Sequence, residues 1–240
     1  NRGLSRLDAA LRGLLFVCTL QEKPNMTTKR AKTDGQAVNA RIAELAKSVS
    51  VATPLGPGRT EEMKRLTEAL LAQTVQPREI VVEEGLNHYI NRNKAWRKAE
   101  GDIVWMIDSD VVPEPDALEK ALAIFAEADP EGVECYTYGN ITRVFEWGFM
   151  TTSIFYTKGA LEKVGGFDER FTDWRGDTDL GWSIIEAGGL IIYQPKSRIF
   201  HPNYSNTRPN MATERLLYEK HPDMYREARE KGYLQCFIHD

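Results

Sequence analysis

The run Ile103-Val104-Trp105-Met106-Ile107-Asp108-Ser109-Asp110-Val111-Val112 is entered from Gly101-Asp102 and closes on two carboxylates just before Pro113. Its apolar, β-branched start predicts a buried strand over 103–107 that delivers a polar site at its end. Residues two apart in extended chain point the same way, so Asp108 and Asp110 lean toward one centre. Two carboxylates there repel each other unless positive charge lies between them. A hard divalent cation whose shell is completed by phosphate oxygens meets that need. Taken alone, Asp-Ser-Asp also reads as a solvated turn or a cap, because Pro113 and Asp116 open the next helix.

The 240 residues are 42% hydrophobic and 28% charged, with a net charge of -4. That is the balance of a soluble globular chain with a sizeable core. It offers no field for gathering nucleic acid, so no nucleic-acid partner is expected. Cys18, Cys135 and Cys236 lack metal-ligand spacing and read as free thiols in a reducing, cytoplasmic setting. No apolar run is long enough for a transmembrane segment. Leu4, Leu7, Leu11, Leu14 and Leu15 fall at helical spacing, a stretch that would dock on the domain or make a peripheral membrane contact. No function is assigned to the first 25 residues.

Working outward from the central stretch, the pattern alternates. A linker over Gln21 to Gly35 and a short helix over Ala37 to Lys47 precede a strand over Ser48 to Thr53. Pro54 to Gly58 breaks the chain, and Thr60 is the expected cap of a helix reaching Gln73. A strand over Glu79 to Val82, a helix over Asn91 to Ala99, the 103–107 strand and a helix over Pro115 to Ala128 follow. Strand, helix, strand at this spacing predicts parallel crossovers, with ligands beyond the carboxyl ends of the strands. The second half predicts a hairpin of 133–138 and 141–145 about Gly139-Asn140. Thr151 to Tyr156 is a further strand, followed by helices over Gly159 to Val164 and Asp177 to Ala187. Two short strands over 190–193 and 197–201 and two helices over 211–221 and 222–231 complete the chain. The expected organisation is an extension and linker over 1–47, a domain over 48–205 with its nucleotide half at 48–112 and its acceptor half at 113–205, and a helical tail over 206–240.

Several motifs recur in the order of a known family. Thr53-Pro54 ends the first strand, and Gln73 to Val82 reads Gln-Thr-Val-Gln-Pro-Arg-Glu-Ile-Val-Val. Glu83-Glu84-Gly85, Arg92-Asn93 and Ala99-Glu100-Gly101-Asp102 lead into Asp108-Ser109-Asp110. Val164-Gly165-Gly166-Phe167-Asp168-Glu169 precedes Gly176-Asp177-Thr178-Asp179-Leu180, and Pro195 to His201 closes the series. Over roughly Val49 to His201 the chain resembles the family 2 glycosyltransferases of GT-A fold. The resemblance implies an α/β nucleotide-diphospho-sugar transferase architecture: a mostly parallel central sheet flanked by helices, with a smaller antiparallel acceptor-side portion.

It also implies a metal-dependent, inverting transfer of a sugar from a UDP- or GDP-sugar to a hydroxyl, with Mn2+ or Mg2+. The acceptor classes are a glycan, a lipid-linked molecule or a small molecule. Asp108 and Asp110 match the metal motif, with His201 as a further metal ligand. Thr53, Pro54, Glu84, Arg92, Asp108 and Ser109 match positions around the nucleotide. Asp177 matches the catalytic base, although the family's Glu-Asp pair is here Gly176-Asp177; the competing reading of Asp177 is a helix N-cap. Trp147, Trp174 and Arg175 are expected on the acceptor side, since an indole face covers a sugar's C–H face well. Trp96 and Trp182, at helical spacing, are expected in the core. Only six residues separate Gly85 from Arg92, a shorter excursion than the family's usual one. Two other readings stay open: a nucleotidyltransferase, for which Leu55 to Arg59 is a poor Gly-rich loop, and a non-catalytic nucleotide- or sugar-binding relative.

Overall fold

The structure, a computed structural model, describes residues 35–127, 135–140, 152–201, 209–232 and 234. The leucine stretch near the N-terminus, the linker up to residue 34, Trp147 and the hairpin arm over 141–145 lie outside the described residues. Helix α1 (Gly35–Ala46) leads into strand β1 (Val49–Leu55). Helix α2 (Thr60–Leu71) crosses to β2 (Glu79–Glu84), and α3 (His88–Lys98) crosses to β3 (Ile103–Ile107). Both strands pair with β1 in parallel, as the alternation predicts.

Two helix starts differ from expectation. Arg59 occupies the N-cap of α2 with no side-chain cap bond, so Thr60 is its first helical residue rather than its cap. Helix α3 begins at His88 instead of Asn91, because the Asn87 side chain accepts from the amides of Tyr89 and Ile90 at 2.9 and 3.1 Å. An Asx cap inside a polar stretch is invisible to a search for apolar periodicity.

After β4 (Val112–Pro113) and α4 (Ala117–Glu127) come β5 (Cys135–Asn140), β6 (Ser153–Thr157) and α5 (Lys158–Val164). Helix α6 (Gly176–Glu186), β7 (Leu190–Phe200), α7 (Met211–Lys220) and α8 (Pro222–Glu230) follow. The strand order is β2-β1-β3-β6-β5-β7-β4. Strands β1, β2, β3, β5 and β7 run one way, with β6 and β4 reversed.

Gly139-Asn140 is not a turn. Both residues lie within β5, at a register shift in its parallel ladder with β7, where Gly139 faces Gln194 and Asn140 faces Arg198. The two strands expected over 190–193 and 197–201 are likewise a single one, Leu190–Phe200, interrupted opposite that shift. Gly and Pro mark a bulge here rather than chain ends.

The period of two in the strands sorts the core onto two faces. Val104 and Met106 of β3, with Ile154 and Tyr156 of β6, pack against α3, α5 and α6 through Trp96, Leu161 and Trp182. Ile103, Trp105 and Ile107, with Phe155, pack against α1, α2 and α4 through Ile42, Leu66 and Leu118. Trp96 and Trp182 are both buried, as their spacing predicts. Leu217, Met224, Tyr225 and Ala228 of α7 and α8 belong to the first cluster. These helices are pinned to α6 by His221, whose Nδ1 meets Glu186 Oε2 at 2.8 Å and whose Nε2 meets Asp179 Oδ1 at 3.0 Å. Lys220 Nζ lies 2.6 Å from the same Asp179 oxygen.

Gly101 admits no side chain. A Cβ there would meet Ser48 O at 2.3 Å and the Ser50 amide and hydroxyl at 2.8 Å. Its amide donates to Ser50 Oγ at 2.8 Å, which donates to Glu79 Oε1 at 2.6 Å, clamping β3 and β2 to β1. Gly101→Ala is expected to cost about 2 kcal/mol of stability, read as a thermal midpoint lowered by about 5 °C. Burial disfavours the charged form of His221, but the bonds to Asp179 and Glu186 outweigh it and raise its pKa above 6.5. Its stabilising contribution is therefore complete below that value and lost as pH rises through the raised pKa. Chemical unfolding of wild type and His221→Gln across that window is expected to converge toward high pH.

Candidate active site

The parallel register puts the carboxyl ends of β1, β2 and β3 along one edge, with Leu55 beside Glu84 and Ala52 beside Met106. Asp108, Ser109 and Asp110 leave that edge directly. The Asp108 amide donates to Thr152 O at 3.1 Å, and the Val111 amide turns back to Asp108 O at 3.2 Å. The antiparallel pairing of Val112 with Phe200 carries His201 to the same turn, so a residue remote in sequence meets Asp110.

Each of the two acids is answered by positive charge, and arginines supply it. Arg92 of α3 donates to Asp108 Oδ1 at 2.5 Å, and Arg59 donates to Asp110 Oδ2 at 2.6 Å. His201 Nε2 lies 3.3 Å from Asp110 Oδ1. Burial opposes charge on Asp110, but the hydrogen bonds with His201 and Arg59 prevail and lower its pKa. Asp110 in turn raises the pKa of His201, helped by the charge on Asp108. Among the described residues no group of three His, Cys, Asp or Glu side chains is assembled to hold a metal ion. Asp110 and His201 are the carboxylate and imidazole that would hold a borderline divalent ion of the Mn2+ type, its remaining ligands coming from phosphate and water.

Asp177 stands in the first turn of α6, where Arg175 at φ 69° is the N-cap. Asp177 is thus inside the helix rather than capping it, and its Oδ1 accepts from the Thr178 amide at 2.9 Å. Burial raises its pKa against the opposing charge of Arg92 and the Thr178 amide. Arg92, buried to 7% side-chain exposure, keeps a raised pKa because the pair with Asp108 and the charge of Asp177 outweigh desolvation. The guanidinium thus pairs directly with Asp108 and also feels the charge of Asp177.

Trp174 and Arg175 both turn onto Glu214 of α7. Trp174 Nε1 and Arg175 Nε donate to Glu214 Oε2 at 2.8 Å, while Arg175 Nη2 and the Tyr225 hydroxyl reach Oε1 at 3.3 and 2.9 Å. The Arg175 guanidinium also lies over the Trp174 ring at 4.8 Å. Arg175 is thereby engaged within the protein, and Trp174 is half-buried.

Of the positions matched to the nucleotide, Thr53 and Pro54 are buried near the end of β1, Ser109 is buried in the turn, and Glu84 is exposed at the end of β2. The Thr53 hydroxyl has no hydrogen-bond partner among the described residues, an acceptor and donor left open at the ligand edge.

Three residues of the site carry no role that the sequence shows. Arg59 falls in the Leu55 to Arg59 loop, a poor Gly-rich loop, and nothing in the local pattern marks Tyr89 or Glu214. The single signal was Gly176, since a glycine opening a helix implies that another group comes close. The Gly176 amide donates to the Tyr89 hydroxyl at 3.1 Å, and the Tyr89 ring covers its Cα.

The family model for glycosyl transferase family 2 matches residues 58–180, just over half of the chain. An N-acetylglucosaminyl-diphospho-decaprenol L-rhamnosyltransferase of Mycobacterium tuberculosis is 30% identical over 79 residues, 33% of this chain and 26% of the relative. The chain therefore matches about a quarter of that curated relative's length. Among solved structures, a mannosyltransferase from Pyrobaculum calidifontis in complex with GDP-Man and Mn2+ superposes with a TM-score of 0.57 at 15% identity, over 95% of this chain and 74% of that one. TarS of S. aureus gives 0.55 at 16% identity, over 79% and 46%. These likenesses make the fold that of the GT-A glycosyltransferases, with the mostly parallel sheet that the alternation predicts. By the match of its central half, this chain belongs to glycosyl transferase family 2.

Proposed function

We propose that this glycosyltransferase moves a sugar from a nucleotide-diphosphate donor to an acceptor hydroxyl by a single in-line displacement with inversion, with Asp177 as base and a divalent cation at Asp110. The observation that carries the reading is Arg92, a buried cation paired with Asp108 at the strand edge and within the electrostatic reach of Asp177 on α6. In this reading Asp177 takes the proton of the acceptor hydroxyl as its oxygen attacks the anomeric carbon. The bond from that carbon to the diphosphate breaks, and its electron pair leaves with the nucleotide diphosphate. The raised pKa of Asp177 supports the role, because a more basic carboxylate accepts a proton more readily.

Asp110 and His201 would hold the cation, which when bound supplies Lewis-acid charge for the leaving diphosphate. Arg59, on the loop after β1 and paired to Asp110, would complement that charge once the donor is bound. Thr53, Pro54, Glu84 and Ser109 would flank the nucleotide. Neighbouring folds crystallised with GDP-Man and Mn2+ or with UDP support a GDP- or UDP-sugar. A relative named for a decaprenol-linked substrate supports a lipid-linked glycan among the acceptors. No described helix is long and apolar enough to cross a membrane, and the widely spaced cysteines support a cytoplasmic setting.

A screen of UDP- and GDP-sugars with Mn2+ or Mg2+ tests the reading, with product stereochemistry followed by NMR. Transfer with inversion is expected, and nucleotide binding without any turnover would make the chain a binding module instead. Asp177→Asn is expected to lower kcat about a thousandfold with nucleotide affinity kept; full turnover in that variant removes Asp177 as base. Because burial lifts the Asp177 pKa, the acid limb of kcat should lie above the ordinary aspartate range, with activity rising as pH climbs through it. Chelation should abolish transfer, and Asp110→Asn should raise the Mn2+ concentration needed to restore it.

A further inference from the structure

We propose that Tyr89 is the positioning residue for Asp177: its phenol ring fills the space beside Gly176, and its oxygen holds the Gly176 amide, fixing the turn that presents the base. The proposal deepens the reading of Asp177 as base and rests on it. A Cβ at residue 176 would lie 2.4 Å from Tyr89 Cζ, 2.6 Å from Cε2 and 2.8 Å from Cε1. The ring and any side chain at 176 thus exclude each other. The contact is also polar, since the Gly176 amide donates to the Tyr89 hydroxyl at 3.1 Å. That amide is among the first of α6, where no helical partner exists for it.

Tyr89 is itself held. Its ring stacks on Phe167 at 5.5 Å between centroids and lies 5.5 Å from the Arg92 guanidinium carbon. Tyr89 and Arg92 are neighbours on one face of α3, so the helix that pairs with Asp108 also grips the turn before Asp177. From the other side Glu214 holds Arg175, the residue in left-handed conformation that precedes Gly176. The base is therefore seated between two anchors: Glu214 holds the Arg175 side chain at the N-cap, and Tyr89 holds the Gly176 amide directly before Asp177. Burial and the nearby Asp177 charge raise the phenol's pKa, so Tyr89 acts as a neutral hydroxyl.

The test compares Tyr89→Phe, Gly176→Ala and the double variant Tyr89→Leu/Gly176→Ala, with kinetics per folded molecule. Tyr89→Phe keeps the ring and removes the oxygen. It should lower kcat per folded molecule about tenfold with the KM for nucleotide sugar unchanged, alongside the modest drop in thermal midpoint that an unpaired buried amide brings. Gly176→Ala should lose kcat more severely, and Tyr89→Leu, which shortens the side chain, should restore part of it in the double variant. A role in folding alone would lower the midpoint and leave kcat per folded molecule intact. Wild-type kcat in both Tyr89→Phe and Gly176→Ala, with Asp177→Asn inactive, overturns this inference and leaves the base standing. An active Asp177→Asn overturns the base reading itself.

Discussion

A buried arginine is tolerated only where carboxylates answer its charge, because desolvating a guanidinium costs several kcal/mol before any partner is counted. Arg92 meets that condition twice, through the ion pair with Asp108 and the field of Asp177. The consequence is geometric. Helix α3 is tied to the end of β3 by the Arg92–Asp108 pair and to the first turn of α6 by the Tyr89 hydroxyl on the Gly176 amide. Aromatic packing reinforces the constraint, since the Tyr89 and Phe167 rings lie 5.5 and 5.7 Å from the same guanidinium.

The sheet explains why those elements meet at all. Every residue of β3 is buried, with alternate side chains entering opposite core clusters. The strand end is the first place where the chain reaches polar surroundings, so charge collects there. Parallel neighbours end at the same edge, and the antiparallel β4–β7 pairing returns His201 to it. The acids, their cations and the imidazole converge through strand register rather than through proximity in sequence.

The C-terminal helices take part in the same arrangement. Glu214 is fully buried and accepts from Trp174, Arg175 and Tyr225. His221, Lys220 and Asp179 form a second charged cluster at the α6 face. Buried charges of this kind contribute directional specificity as much as stability, because only one packing of α7 and α8 on α6 pairs all of them. The left-handed backbone of Arg175 persists where its side chain is gripped so firmly.

The alternation of strands and helices, the buried β3 run and the acids at its end are legible from the order of residues. Those are local facts: β-branched runs, period-two sorting and paired carboxylates at a strand terminus are readable over ten residues. The ordered motifs also carried the family resemblance, and Trp96 and Trp182 were legible as core from their spacing. The tertiary packing decided that arginines answer Asp108 and Asp110, since Arg92 and Arg59 lie 16 and 51 positions away. It also decided that Gly139-Asn140 is a bulge, because two residues cannot reveal whether the chain reverses or continues. The Tyr89 contact with Gly176 spans 87 positions, and Glu214 reaches Arg175 across 39. Such pairings depend on how helices from distant segments pack on one sheet face, which short-range pattern does not encode.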